Sequence, residues 1–326
     1  ACGKPARRET DTLDTFVDSA WYYMRYCSPD STAGMIDERV DYWMPMDQYI
    51  GGIEHAVLHL LYARFWHKVL YDIGVVSTKE PFIKLVHQGI ILGEDSRKMS
   101  KRWGNVVDPN VMIDQYGADS LRIFEMFMGP LEAMKPWSSK GVEGIMRFLD
   151  RVWRLYVNED GSNAFTDEPA PVEALRVLHK TIAKVGQDVE DLKFNTAISQ
   201  MMVFVNEINP MATRSRAVLE PFVLVLAPFA PHLAEELWSR MGHTGTLAYE
   251  AFPAFDPALT VEDTVTVAVQ VNGKLRATLD LPRGASQDDV QAVAFADERV
   301  KKYVEAGAIK KVIHVKDKLL NVVVAG

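Results

Sequence analysis

Between residues 142 and 240 the apolar residues recur at helical spacing, with no alternating stretch long enough for a strand. Val142 to Val157 reads as one helix, with Ile145, Phe148, Leu149 and Val152 on one side. Arg147, Arg151 and Arg154 follow at spacings of four and three along the opposite face. After a polar loop from Asn158 to Pro171, the pattern predicts helices over Val172–Leu192, Phe194–Ile208 and Ala217–Met241, the last interrupted at Pro228 and Pro231. The economical architecture for such a run is a helical bundle. Its arginine stripe is what an ordinary solvated face looks like, and also what contact with RNA phosphates requires.

The chain ahead of the bundle has a different rhythm. Leu13, Phe16 and Val17 alternate with Thr and Asp, which predicts a short strand, followed by an aromatic helix from Trp21 to Tyr26 capped by Asp18 or Ser19. Met46–Ile50 is strand-like, Gly51-Gly52 permits a tight turn, and Ile53–Ile73 is expected as one long helix. A strand, a glycine pair and a helix start form a receptor for ribose or phosphate, although many such turns carry glycine for geometry alone. His55 and His59 would share a helix face, but His67 is too far along to complete a metal site and the order His-Glu-x-x-His is absent. No protein-bound metal is expected.

A third strand, Lys84 to Gly93, leads into the polar loop Ser96-Arg97-Lys98-Met99-Ser100-Lys101-Arg102-Trp103-Gly104-Asn105. Two lysines three apart offer point charges to a polyanion such as a triphosphate, and the loop backbone offers N–H donors. Asp108-Pro109 reads as a helix start, with two short helices split at Gly117 and ending at Gly129-Pro130. Past 261 the period becomes two: Thr264–Val271, an Asn272-Gly273 turn and Leu275–Leu281 make a hairpin. A helix from about Ser286 and strands over Ile309–Val315 and Leu319–Val324 complete a small α+β unit. Lys310, Lys311, Lys316 and Lys318 make its last hairpin basic, which suits an RNA contact and equally the protection of an edge strand.

The net charge of −8 argues against charge-driven nucleic-acid binding at large, which leaves local strips as the way to hold RNA. With only Cys2 and Cys27, neither a disulfide framework nor a cysteine zinc site is expected. No long uncharged apolar run is present and no secretory signal is seen, so the reading is cytoplasmic, with no membrane partner.

Several long words resemble the leucyl-tRNA synthetases of class I. They are Glu9 to Tyr23 (ETDTLDTFVDSAWYY), Val40-Asp-Tyr-Trp43, Asp47 to Tyr62 (DQYIGGIEHAVLHLLY), Lys98-Met-Ser-Lys101, and Gly141-Val-Glu-Gly144 with Arg147-Phe148-Leu149. The resemblance implies the second half of a Rossmann-like α/β catalytic domain over 1–138, with its signature loop at 98–102. A helical-bundle domain of anticodon-binding type would follow over 139–258, and a small α+β domain that binds tRNA over 259–326. It implies leucine binding by Phe16, Ser19, Tyr22, Tyr49, His55 and His59, and ATP binding by Gly51, Gly52, Glu54, Gln88, Lys98, Met99 and Lys101. Lys98 and Lys101 would be catalytic, and Arg147, Arg151, Arg154, Lys310 and Lys311 would contact tRNA(Leu). ATP, with Mg2+, would be the cosubstrate.

The departures from the family pattern are specific. Arg102 stands where the signature loop usually ends in Ser, and Ala20 where a second Ser is common. The His-Ile-Gly-His signature of the first half of the nucleotide fold does not occur, and neither does the editing insertion. The expectation is therefore a C-terminal portion of the ligase, its site completed by an N-terminal half supplied in trans. Two rival readings are a non-catalytic tRNA-binding or regulatory relative, and a metal-dependent hydrolase built on His55, His59 and Glu54.

Overall fold

The computed structural model describes residues 3–261 and 264–325, and the buried apolar side chains within them sort into three clusters. The first lies near the N-terminus. It joins α2 (Tyr22–Arg25), which follows α1 (Phe16–Ser19), to α3 (Arg39–Trp43), β1 (Met46–Gly52), α4 (His59–Asp72) and β2 (Phe82–Gln88). Strands β1 and β2 pair in parallel, with Met46 opposite Phe82 and Gly52 opposite Gln88. Cys2 lies outside the described residues.

Two expectations fail in this region. Leu13 to Val17 is not a strand: Leu13 is in no regular element and Phe16 opens α1. The cause is local, because Asp14 Oδ1 accepts from the Phe16 N–H at 2.8 Å and the Asp14 carbonyl from Val17 N–H at 3.0 Å, which turns the chain. The aromatic helix is shorter than expected, and Trp21 precedes it without a side-chain cap. Nor is 53–73 one helix. A 3-10 turn, Ile53–Val57, carries the chain off β1, and Leu58 (φ −112°, ψ −103°) breaks it from α4. Helix α4 buries Leu60, Ala63, His67 and Leu70. Its other face exposes Leu61, Phe65 and Val69 at intervals of four, continued by Ile73.

The largest cluster gathers the helices predicted from the periodic run. Strand β3 (Ile91–Leu92), α5 (Pro109–Tyr116), α6 (Ala118–Phe127) and β4 (Lys135–Pro136) lead into α7 (Ser139–Tyr156). Then come α8 (Val172–Glu190), α9 (Phe194–Ile208), α10 (Arg216–Leu226) and α11 (Pro231–Arg240), followed by the short α12 (Pro257–Thr260). Asp108 caps α5 through its side chain, and Gly117, at φ 86°, separates α5 from α6. Phe204 and Phe222, fully buried, stack at 3.9 Å in the middle of the bundle. Ser138 is itself exposed, while Trp137 before it and Val142 after it both belong to this cluster.

The first and second clusters meet at Gly89. Phe82 of β2 packs with the first cluster, whereas Ile91 of β3 and Met99 of the loop pack with the second. A Cβ on Gly89 would stand 2.1 Å from the carbonyl oxygen of Ala133, so the crossing requires glycine.

The third cluster is the C-terminal unit: β5 (Thr264–Val271), β6 (Lys274–Pro282), α13 (Gln287–Ala296), α14 (Glu298–Val304), β7 (Ile309–Val315) and β8 (Leu319–Val324). Strand order is β6-β5-β8-β7, with β5 and β8 parallel. Asn272 and Gly273 take the positive φ values, 50° and 78°, that their two-residue turn demands. Strand β7 is an edge with an irregularity between Ile309 and Lys311, and both Lys310 and Lys311 are exposed there.

Candidate active site at the carboxyl end of the parallel strands

Five of the six side chains expected around leucine meet in one aromatic cluster. Phe16 presents its ring edge-on to His55 at 6.3 Å. His55 and His59 lie 6.1 Å apart, edge to face. The Tyr22 and Tyr49 hydroxyls are hydrogen-bonded at 2.8 Å, and Tyr49 Oη stands 2.7 Å from His59 Nε2. Ser19 ends α1, which packs on α4 beside the cluster. Phe82 supports the assembly from β2, its ring 4.4 Å from that of Tyr49.

Burial tunes this cluster toward neutrality. It lowers the pKa of His59, with a smaller contribution from His55, so the imidazole is uncharged at neutral pH. Burial likewise raises the Tyr49 hydroxyl, helped by its bond to Tyr22. Among the described residues, the Nδ1 atoms of His55 and His59 are buried without a hydrogen-bond partner. The result is a packed aromatic cluster in which the Tyr22 and Tyr49 hydroxyls and His59 Nε2 form a fixed polar chain.

Gly51 and Gly52 end β1 in extended form rather than making the expected turn. Glu54, in the first turn after the strand, folds its carboxylate back over Gly52: a Cβ there would lie 2.5 Å from Glu54 Oε2. Gln88 ends β2 directly opposite Gly52. These four residues share the carboxyl end of a parallel pair, the usual receptor position in open α/β sheets.

The signature loop leaves from the next strand. Gln88 to Leu92 can reach at most about 14 Å, and Leu92 bridges Lys98 across the loop base. Asn105 is the organising residue. Its Oδ1 accepts from Ser100 N–H at 2.9 Å, and its Nδ2 donates to Asp95 Oδ1 at 3.0 Å and to the Lys98 carbonyl at 3.4 Å. Ser100 Oγ caps a 3-10 turn over Lys101–Trp103, closed by Gly104 at φ 64°. Arg97 is held by Asp95 and lies over Trp103, which Arg102 also contacts from 5.3 Å. Lys98 and Lys101 are exposed and make no ion pair among the described residues, so their charges are free for a ligand. Met99 points into the bundle core instead.

Sequence reasoning quoted Asn105 but missed its role, and missed Glu94 altogether. Glu94 Oε1 accepts from the N–H (3.0 Å) and Oγ (2.9 Å) of Ser139 at the start of α7, bonds that hold its carboxyl below the ordinary range. Of the arginine stripe, Arg147 and Arg154 project to solvent, whereas Arg151 donates to Asn206 Oδ1 on α9. Lys310 and Lys311 lie in the separate C-terminal unit. Among the described residues no group of three His, Cys, Asp or Glu side chains is placed to hold a metal ion, and no helix is long and apolar enough to cross a membrane.

Comparison with known proteins gives a consistent picture. Residues 3–135 match the family described as tRNA synthetases class I (I, L, M and V), and residues 173–292 the anticodon-binding domain of tRNA ligase. The leucine–tRNA ligase of Chloroherpeton thalassium is 55% identical over 321 residues, covering 98% of this chain and 40% of that protein. That of Leptospira biflexa is 51% identical over 326 residues, covering 99% of this chain and 38% of its own length. The chain thus spans about two-fifths of the curated relatives it matches. Among solved structures, the ternary LeuRS–tRNA–LeuAMS complex of Agrobacterium radiobacter K84 superposes with a TM-score of 0.79 at 35% identity, over 100% of this chain and 44% of that one. Methionyl-tRNA synthetase of Mycobacterium tuberculosis, bound to methionyl-adenylate, shares the fold at TM-score 0.52 and 17% identity, over 71% of this chain and 50% of its own.

Proposed function

We propose that this chain, which is 51–55% identical to leucine–tRNA ligases over nearly its whole length, carries the leucine pocket, the signature loop and the RNA-binding helices of such a ligase. The remainder of the ligase length, in cis or in trans, would complete the nucleotide site. The observation that carries this reading is the hydrogen-bonded Tyr22–Tyr49–His59 cluster with Phe16 and His55, beside the strand end that leads to the Lys98/Lys101 loop.

In the reaction proposed, a leucine carboxylate oxygen attacks the α-phosphorus of ATP. The new O–P bond forms as the bond to the β-phosphate bridge breaks, and pyrophosphate leaves. Lys98 and Lys101 stabilise the charge that accumulates on the departing phosphates, a contribution larger in the transition state than in the ground state. Glu54, Gly51, Gly52 and Gln88 hold the ribose side, and Mg2+ bound with ATP shares the phosphate charge. The ribose hydroxyl at the 3′ end of tRNA(Leu) then attacks the leucyl carbonyl and AMP departs. Discrimination among aliphatic side chains falls to the aromatic cluster, where each methylene is worth about 1–3 kcal/mol.

The test is leucine-dependent ATP–pyrophosphate exchange, run with this chain alone and with a polypeptide carrying the unmatched part of a relative. Exchange in the mixture is expected. Absence of exchange in both, with RNA still bound, would favour the non-catalytic reading. The compartment proposed is the cytoplasm, where translation takes place.

A further inference from the structure

The segment bearing Lys98 and Lys101 is fastened to the bundle on both sides, each time by a carboxylate seated on a helix start. On the N-terminal side, Glu94 receives the Ser139 N–H and hydroxyl at the start of α7. On the C-terminal side, Asp119 of α6 reaches α11. Its Oδ2 accepts from Leu233 N–H at 2.8 Å, and its Oδ1 pairs with His232 Nδ1 at 2.8 Å and faces His232 N–H at 3.4 Å. Helix α11 has no cap of its own, since Ala230 precedes it and Pro231 has no N–H. Asp119 is 8% exposed and supplies that cap from 112 residues upstream of Pro231.

One turn further along α6, Arg122 Nη2 donates to the carbonyl of Pro228 at 3.1 Å, just before α11. Anion to amide end, cation to carbonyl: a single turn of α6 grips both sides of the α10–α11 corner. The apolar packing agrees, because Ile91, Met99 and Val107 lie on the bundle core. Toward β1 and β2 the chain runs through the Gly89 crossing, where Gly89 N–H donates to the Leu131 carbonyl at 2.9 Å and Ile50 and Gln88 line a groove with Arg122 and Glu125.

We infer that Glu94, Asp119 and Arg122 are positioning residues that make the Lys98/Lys101 loop a limb of the helical bundle. Whatever grips the bundle then sets where the two ammonium groups stand relative to the β1–β2 site. The identity of the gripping partner as RNA rests on the function proposed above; the fastening does not.

Trypsin reads the loop directly, since Arg97, Lys98, Lys101 and Arg102 are cleavage sites. The full 326-residue chain is digested briefly and loop cleavage is compared by mass spectrometry with cleavage in α8, at Arg176, Lys180 and Lys184. Glu94→Ala and Asp119→Asn are expected to raise loop cleavage about fivefold, the effect of losing one net hydrogen bond on local opening, and to leave the bundle sites unchanged. Glu94→Gln keeps an acceptor oxygen and should match the unmodified chain. Glu94 lies at the surface, so its alanine variant will fold; unchanged loop cleavage in it overturns the inference. So does a uniform rise at all sites, which marks a merely structural role.

In a second arm, a leucine-accepting tRNA transcript is added. It is expected to change loop cleavage in the unmodified chain and not in Glu94→Ala. Bound RNA with no effect on the loop overturns the inference. RNA that does not bind at all overturns the proposed RNA function instead, and the RNA-free arm still decides the fastening.

Discussion

The Tyr49 hydroxyl stands 2.7 Å from His59 Nε2, and its own neighbour on the other side is Tyr22. A tyrosine has one hydroxyl proton, so Tyr49 donates to one partner and accepts from the other. Protonating His59 would make its Nε2 a donor to Tyr49 and so force Tyr49 to donate to Tyr22. Burial places the His59 pKa below its ordinary 6.5. The unfolded chain therefore binds more protons, and the contribution to stability is present above that value and lost as pH falls through the folded pKa. The urea midpoint is expected to fall between about pH 7 and pH 5, and His59→Gln to flatten the profile. His67, shifted the same way by burial, supplies the rest. An identical profile in His59→Gln would refute the assignment.

Lys101→Ala, and Lys98→Ala with it, should lower leucine-dependent pyrophosphate exchange about 10²–10³-fold, with little change in the KM for ATP. Both side chains are exposed, so the urea midpoint should move by less than about 0.5 kcal/mol equivalent. A loss of stability in place of a loss of rate would show that the lysines are structural.

Gly89→Ala should cost about 3 kcal/mol or more, because the added methyl meets the Ala133 backbone at 2.1 Å rather than a side chain that can swing away. Equilibrium urea unfolding measures it. A cost near that of an ordinary surface change would mean that the crossing can open freely.

Phe204→Ala removes half of a buried stack at 3.9 Å and should cost about 3–5 kcal/mol. The unfolding transition of the bundle, followed by far-ultraviolet circular dichroism, reports it. A cost below about 1 kcal/mol would contradict the packing described.

Arg147 and Arg154 point to solvent, whereas Arg151 is engaged with Asn206. If the stripe holds RNA phosphates, the double change Arg147→Ala and Arg154→Ala should reduce the slope of log affinity against log salt by roughly 1.4–1.8, at about 0.7–0.9 per phosphate contact. An unchanged slope would remove these arginines from the interface.

Local signals carried the sequence reading well. Asp108-Pro109, Gly117 and Asn272-Gly273 each state a cap or a turn in two or three residues, and each is found. The bundle helices followed from their period. The failures came where a side chain or a neighbour overrides the pattern. Asp14 bends the chain before Phe16 can continue as a strand, through a bond from the Phe16 N–H to its own side chain that the alternation does not register. The break at Leu58 leaves no mark in a sequence of good helix formers, yet His55 and His59 still meet, through the 3-10 turn rather than along a helix. The Asp119 contacts with α11 join residues more than a hundred apart, and no periodicity registers such a pairing.

The row of Leu61, Phe65, Val69 and Ile73 on α4 has a practical corollary. Bare hydrocarbon of that extent makes a polypeptide sticky, so the purified chain is expected to sediment as a concentration-dependent mixture and to adsorb to vessel walls. Mild detergent in the buffer is the preparative remedy.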